Sequence, residues 1–116
     1  MLNYSDIGES LRALADPTRG AIVDRLLRGP ATVSMLAEPF PMTMAAIVQH
    51  LQVLESAGLI ASQKIGRVRT CRLEPKGFAP LATYVEQRRA LVERRLDRLG
   101  AYLATTDEAK PKRRRK

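Results

Sequence analysis

The chain has few of the residues that build disulfide frameworks, aromatic cores or metal centres. Its 116 residues include one cysteine, one histidine and no tryptophan, and aromatic residues make up 4% of the total. A single cysteine excludes an internal disulfide and the disulfide scaffold of a small secreted domain. Because the 45% of hydrophobic residues are nearly all aliphatic, the composition favours a helix-rich fold.

Long apolar runs are also missing. No 18 consecutive apolar residues occur, so no transmembrane span is predicted, and the first six residues lack the basic start and apolar run of a signal peptide. We therefore expect a cytoplasmic protein with no membrane partner. No Ser/His/Asp triad, paired carboxylate site or glycine-rich phosphate loop is recognisable, so we expect neither enzymatic activity nor a cofactor.

Positive charge is what the chain has in excess. Its formal net charge of +8 favours nucleic acid as the polyanionic partner. Residues 107–116 hold six basic and two acidic residues and so carry half of that charge. We predict one domain over residues 1–106 and a disordered basic tail over 107–116, which either attracts phosphates or only improves solubility.

Apolar residues at helical spacing predict three helices in the first third of the chain. Asp16, followed by Pro17, is a good N-cap for the second helix, and Gly29-Pro30 ends it. Thr32 opens the third helix. The apolar positions of the first helix are Ile7, Leu11 and Leu14.

A tight turn and a longer helix follow. Pro39-Phe40-Pro41 stops the third helix, Thr43 caps a helix over residues 43–57, and Gly58 ends it. Two helices around one tight turn are typical of helix-turn-helix proteins, whose second helix enters the major groove of DNA. Since Ile47, Leu51 and Leu54 point inward, we predict DNA contacts by Thr43, Ala45, Val48, Gln49, His50 and Gln52.

The candidate contacts differ in what they offer DNA. Gln49 is the best base reader, because its amide donates and accepts toward adenine, whereas Ala45 and Val48 offer apolar contacts, for instance with a thymine methyl. Each of these side chains has the alternative of being an ordinary solvated residue. His50 lies nearer the inner edge of the helix, so a structural or phosphate-touching role is favoured over metal binding or catalysis.

After Gly58 the apolar period changes from 3.6 to 2, which indicates strands. A two-stranded wing is predicted over residues 60–73, with Gly66-Arg67 in the turn. Its Lys64, Arg67 and Arg69 are predicted to contact the DNA backbone or the minor groove. For Cys71 on the second strand, a packed thiol is favoured over a redox sensor.

A long helix is predicted from Pro80 onwards. Taken together, the order of the predicted helices and strands indicates a mainly α winged helix-turn-helix fold with about five helices. The apolar stripe of this last helix is expected to bury, with that of the first helix, against a second copy of the chain; the alternative is packing within one chain. A dimer would also read two half-sites about one helical turn apart. The predicted interface residues are Ile7, Leu11, Leu14, Leu81, Tyr84, Val85, Val92, Leu96, Leu99 and Leu103.

Three segments of the chain resemble a known family. They are residues 14–19 (LADPTR), residues 49–60 (QHLQVLESAGLI) and Gly66-Arg67. From about Ile7 to Leu103 the chain resembles the ArsR/SmtB winged-helix repressors. The resemblance implies homodimers formed by the first and last helices, operator binding near the protein's own promoter, and release of double-stranded DNA by an inducer.

The chain departs from that family in two respects. Many members have a serine where this chain has Val48, so an operator contact through that hydroxyl is absent. Metal-sensing members have a cysteine pair in the helix that here reads VSMLAE at residues 33–38, or Asp and His ligands in the last helix, and this chain has neither set. We therefore predict no metal site, and whether another inducer exists stays open.

We predict a sequence-specific transcriptional regulator that binds a palindromic operator as a repressor. Two rival functions remain at this stage. One is a basic nucleoid-type protein that binds DNA or RNA through charge without reading sequence. The other is a winged-helix module that binds protein.

Overall fold

The computed structural model describes the backbone of residues 4–109 and the side chains of residues 7–105. These residues form two compact units, one that ends at Ala82 and one that begins at Thr83. The helices and strands are α1 (Tyr4–Ala15), α2 (Pro17–Leu26), β1 (Ala31–Thr32), α3 (Val33–Ala37), α4 (Met44–Ser56), β2 (Ile60–Ile65), β3 (Val68–Leu73) and α5 (Pro75–Ala109).

Three helices of the first unit begin at the residues predicted to cap them. A carboxylate oxygen of Asp16 accepts a hydrogen bond from the backbone N–H of Arg19 at 3.1 Å. The hydroxyls of Thr32 and Thr43 each accept from the amide three residues further on, also at 3.1 Å. Each cap satisfies one of the amides that have no partner in a first helical turn, and the helix starts predicted at Asp16, Thr32 and Thr43 are confirmed.

The predicted hairpin is confirmed with its strand bounds unchanged, but the sheet has a third strand. β2 and β3 pair antiparallel, from Ile60 opposite Leu73 to Ile65 opposite Val68, and Gly66 adopts a φ of +64° in the turn. The two residues of β1 pair with the other edge of β3, which gives the order β1-β3-β2. A two-residue strand is too short to show a period of two, so the sequence pattern missed it.

The core of the first unit is aliphatic, as the composition indicates. Ile47, Leu51 and Leu54 of α4 are buried as predicted. Because α4 is held through this inner face, its opposite face is left to solvent. Other buried residues of the unit are Ile22, Val23, Leu26, Leu36, Leu59, Ile60 and Cys71.

Two residues predicted for the dimer interface belong instead to this core, so that part of the prediction is wrong. Ile7 is 2% exposed and Leu81 is 7% exposed, and neither side chain is available to a second copy. Helical spacing is the same whether an apolar stripe faces its own chain or another one. The spacing alone therefore did not separate the two cases.

The last helix begins at Pro75 and not at the predicted Pro80. Pro75 suits the first helical position, whereas Pro80 in the second turn leaves the carbonyl of residue 76 without its usual helical donor. A tertiary contact accompanies the early start, because the backbone N–H of Glu74 donates to the carbonyl of Leu59 at 2.9 Å. This bond holds the chain that enters α5 against the segment that follows α4.

Gly77 is the point where α5 comes closest to that segment. A Cβ at this position would lie 1.6 Å from the carbonyl oxygen of Gly58, so Gly77→Ala is expected to lower the free energy of unfolding by about 1 to 3 kcal/mol. Urea denaturation measures the change. In the control Gly100→Ala the added Cβ meets nothing within 4 Å, and alanine should stabilise the helix by about 0.5 to 1 kcal/mol. Equal stabilities for the two variants would contradict the close approach.

The second unit is the continuation of α5 to Ala109. The helix thus enters the segment predicted as a disordered tail from residue 107, since lengthening an existing helix needs no new nucleus; residues 110–116 lie outside the described residues. Between residues 83 and 105 no side chain is buried. None of the described helices is both long and apolar enough to cross a membrane. The exposed apolar side chains of this unit are Val85, Leu91, Val92, Leu96, Leu99, Tyr102 and Leu103.

Candidate nucleic-acid interface

The outward face of α4 carries four of the predicted DNA-contacting residues in one strip. All four are exposed, and their spacing of three and four residues places them on the same side of the helix. Thr43, at the head of the helix, is exposed as well. The residues of this α4 strip are Ala45, Val48, Gln49 and Gln52.

An acidic residue that no sequence pattern singled out borders the α4 strip. Glu9 of α1 lines a shallow groove together with Gln49 and Gln52. Its carboxylate accepts hydrogen bonds and repels phosphates, so it bears on which groups can approach the strip. No local signal connects residue 9 with residue 49, because α1 meets α4 only in the folded chain.

The wing, the hairpin formed by β2 and β3, presents its three predicted cations to solvent. Lys64, Arg67 and Arg69 are all exposed. Lys64 pairs with Arg69 across the strands, so these two side chains lie on the same face of the hairpin. Arg69 also donates from a guanidinium nitrogen to the hydroxyl oxygen of Ser62 at 2.8 Å.

His50 is half-buried and makes contacts inside the first unit. Its Nδ1 lies 3.1 Å from a guanidinium nitrogen of Arg19 and 3.9 Å from a carboxylate oxygen of Asp16. Because a guanidinium only donates, Nδ1 is assigned as the acceptor in the contact with Arg19. These contacts favour the structural role among those predicted for His50.

Arg19 joins three helices, which the sequence analysis did not predict. Its Nε donates to the carbonyl of Ala13 at 2.7 Å, and a second nitrogen donates to the carbonyl of Arg12 at 3.3 Å. Both carbonyls belong to the last turn of α1, where a cation is favoured, and a third nitrogen reaches His50 of α4. The local pattern around Asp16 signals only a helix start, so the contact with residue 50 follows from tertiary packing.

Among the side chains of the first unit that the structure describes, Asp16 and Cys71 have shifted pKa values. The pKa of Asp16 is lowered, mainly by the hydrogen bond from the backbone N–H of Arg19, with further attraction from the Arg19 guanidinium. Cys71 is 1% exposed, and burial, aided by the Glu55 carboxylate, raises the pKa of its thiol. The packed thiol is confirmed, and the raised pKa disfavours the thiolate that redox chemistry requires.

The side chains that the structure describes form no cluster that could bind a metal ion. Within residues 7–105, no three His, Cys, Asp or Glu residues come together to hold an ion. The absence of metal sensing was inferred from ligand types, and it stays a prediction.

Comparison with known proteins places this geometry in context. A family model described as a helix-turn-helix domain matches residues 14–63. The HTH-type transcriptional regulator Rv2034 of Mycobacterium tuberculosis is 40% identical over 87 residues, which span 75% of this chain and 81% of that protein. The HTH-type transcriptional repressor SmtB of the same species is 38% identical over 66 residues, or 57% of this chain and 49% of that protein.

Solved structures agree with these sequence relatives. The crystal structure of an ArsR family transcriptional regulator matches with a TM-score of 0.74 and 42% identity, over 80% of this chain and 97% of that one. A homodimeric winged helix-turn-helix DNA-binding domain from Mycobacterium bovis shares the fold, with a TM-score of 0.60 and 24% identity over 81% and 84% of the two chains. Given its identity with regulators that it matches over most of their length, this chain belongs to the ArsR family of winged helix-turn-helix transcriptional regulators.

Proposed function

We propose that the protein binds double-stranded DNA sequence-specifically, as a homodimer on a palindromic operator, and represses transcription there. The observation that carries this proposal is the exposed α4 strip beside a wing with three exposed cations, in a chain of this family. The protein would act in the cytoplasm, and we assign it no catalytic activity.

In the proposed complex α4 lies in the major groove, which is wide enough to admit a helix. Gln49 reads an adenine edge, and the rest of the α4 strip and Thr43 contact neighbouring bases or phosphates. Lys64, Arg67 and Arg69 of the wing bind the backbone or the minor groove. His50 contributes by holding α4 in place through Arg19 rather than by contacting a base.

The homodimer is supported by the exposed apolar residues of α5, which a second copy would remove from water. The Mycobacterium bovis DNA-binding domain of the same fold is described as homodimeric, and the relative SmtB is named a transcriptional repressor. With Ile7 and Leu81 withdrawn, the interface that we propose consists of Leu11, Leu14, Tyr84, Val85, Val92, Leu96, Leu99 and Leu103.

Binding to two duplexes across a salt series tests the proposal. The operator duplex is the segment that the protein protects in a footprint of the DNA upstream of its own gene, and the second duplex has the same length and a scrambled sequence. A specific regulator should bind the operator at least about 1,000-fold more tightly, because base contacts add to the phosphate term. Equal affinities at every salt concentration would favour the nucleoid-type function instead. No measurable binding to either duplex would favour a protein-binding module.

A further inference from the structure

A chain of side-chain hydrogen bonds connects the wing to α4. A guanidinium nitrogen of Arg69 donates to the hydroxyl oxygen of Ser62 at 2.8 Å. The same hydroxyl donates to a carboxylate oxygen of Glu55 at 3.4 Å. A serine hydroxyl can accept from one group and donate to another at once, so Ser62 is the link between a cation of β3 and an anion of α4.

The strand register explains why these groups meet. Ser62 lies opposite Cys71, and Lys64 lies opposite Arg69, so Ser62 and Arg69 are diagonal neighbours on one face of the hairpin. That face includes the buried Cys71, which indicates that it is the face that packs against the helices of the first unit. Glu55 comes from the turn of α4 that follows Gln52.

A small pocket lies at the same place. It has a volume of about 320 Å³ and is lined by Val48, Gln52 and Glu55 from α4 and by Ser62 and Arg69 from the wing. Two of these α4 residues belong to the α4 strip. The side chains that tie the wing to the helix are therefore next to residues proposed to contact bases.

We propose that Ser62 is a positioning residue, which orients the Arg69 guanidinium so that the wing and the α4 strip reach one DNA site together. This inference rests on the proposed function, since it concerns the same interface. Arg69 is exposed and has further N–H groups for phosphate oxygens. An arginine that is already oriented loses less side-chain freedom on binding DNA than one that moves freely.

Glu55 supports this role for a physical reason. Its carboxylate accepts a hydrogen bond from the Ser62 hydroxyl. This bond orients the hydroxyl so that the lone pairs of the serine oxygen face Arg69. Without the serine hydroxyl, Arg69 would either turn toward the Glu55 carboxylate or move freely in solvent. Both alternatives take the guanidinium away from its position above the hairpin face, while the number of cations at the interface stays the same.

Ser62→Ala and Ser62→Thr test the proposal, with Thr105→Ala as the control that removes an exposed hydroxyl from α5. We expect Ser62→Ala to bind both the operator and the scrambled duplex about three- to tenfold more weakly, because the Arg69 guanidinium is oriented toward phosphates and both duplexes present phosphates. Ser62→Thr, which keeps the hydroxyl at a residue that lines the pocket, should bind within about twofold of wild type. Relaxation of the Arg69 Nε–H in the free protein should show a rigid side chain in wild type and a mobile one in Ser62→Ala.

The outcomes separate the inference from the function on which it rests. A loss of DNA affinity in Ser62→Ala, with the Arg69 side chain as rigid as in wild type, would show that Ser62 contacts the DNA itself, which overturns a positioning role. Operator affinity that is unchanged in Ser62→Ala also overturns it. If wild type does not distinguish the two duplexes, the proposed function fails, and the relaxation data still report whether Ser62 orders Arg69 in the free protein.

Discussion

Replacing Leu96 with glutamate is expected to leave the protein monomeric and to weaken operator binding by about 100-fold or more. Leu96 is 58% exposed in the single chain, so the substitution leaves the core of the first unit intact. In a dimer interface, however, it would bury an unpaired carboxylate, which costs several kcal/mol. A monomer also reads only one half-site and loses the roughly 100- to 10,000-fold advantage of bivalent binding.

Sedimentation and operator titration measure this effect. Ala101→Glu is the matched control, because it adds the same charge to an exposed position of α5. It lies five residues further on and so about 140° around the helix from Leu96. The control should stay dimeric and bind the operator like wild type. A Leu96→Glu protein that remains dimeric at micromolar concentration would place the interface elsewhere.

Replacing Gln49 with alanine is expected to weaken operator binding by about 10- to 100-fold, because one bidentate amide contact to adenine contributes roughly 1 to 3 kcal/mol of discrimination. Gln49 is exposed on the α4 strip, and its loss leaves the buried face of α4 unchanged. Affinity for the scrambled duplex and the salt slope should stay the same, since the amide neutralises no phosphate.

Gln87→Ala makes the same chemical change on an exposed face of α5 and should have no effect on either duplex. Selection of binding sites from a random pool gives a second measurement, in which Gln49→Ala should lose its preference for adenine at one position of each half-site. Equal weakening on operator and scrambled DNA would mean that Gln49 serves the fold or the backbone contacts and reads no base.

Features that depend on neighbouring residues were predictable from the sequence. A cap requires a short polar side chain next to the amides that it satisfies, so Asp16, Thr32 and Thr43 were identified correctly. The hairpin was equally local, since Gly66 supplies a positive φ between two stretches with a period of two. The exposed α4 strip follows from the same reasoning, because three inward apolar residues fix which side of a helix faces out.

Features that depend on distant residues were not predictable in the same way. The spacing of Ile7 and Leu81 marks an apolar face but does not say which surface covers it, and the structure buries both in the chain's own core. The start of α5 at Pro75 accompanies contacts with Leu59 and Gly58. Proline is favoured at the first position of a helix, and both Pro75 and Pro80 satisfy that local rule.

The same distinction between neighbouring and distant residues applies to the candidate DNA interface. Charge and period identified the exposed cations of the wing and the exposed α4 strip, because exposure of a polar residue on an amphipathic element depends on the residues beside it. The links that hold these parts in place, from Arg19 to His50 and from Arg69 through Ser62 to Glu55, join residues of separate elements. Those links formed only when tertiary packing brought α4 against α1, α2 and the wing, since a hydrogen bond requires its two atoms within about 3 Å of each other.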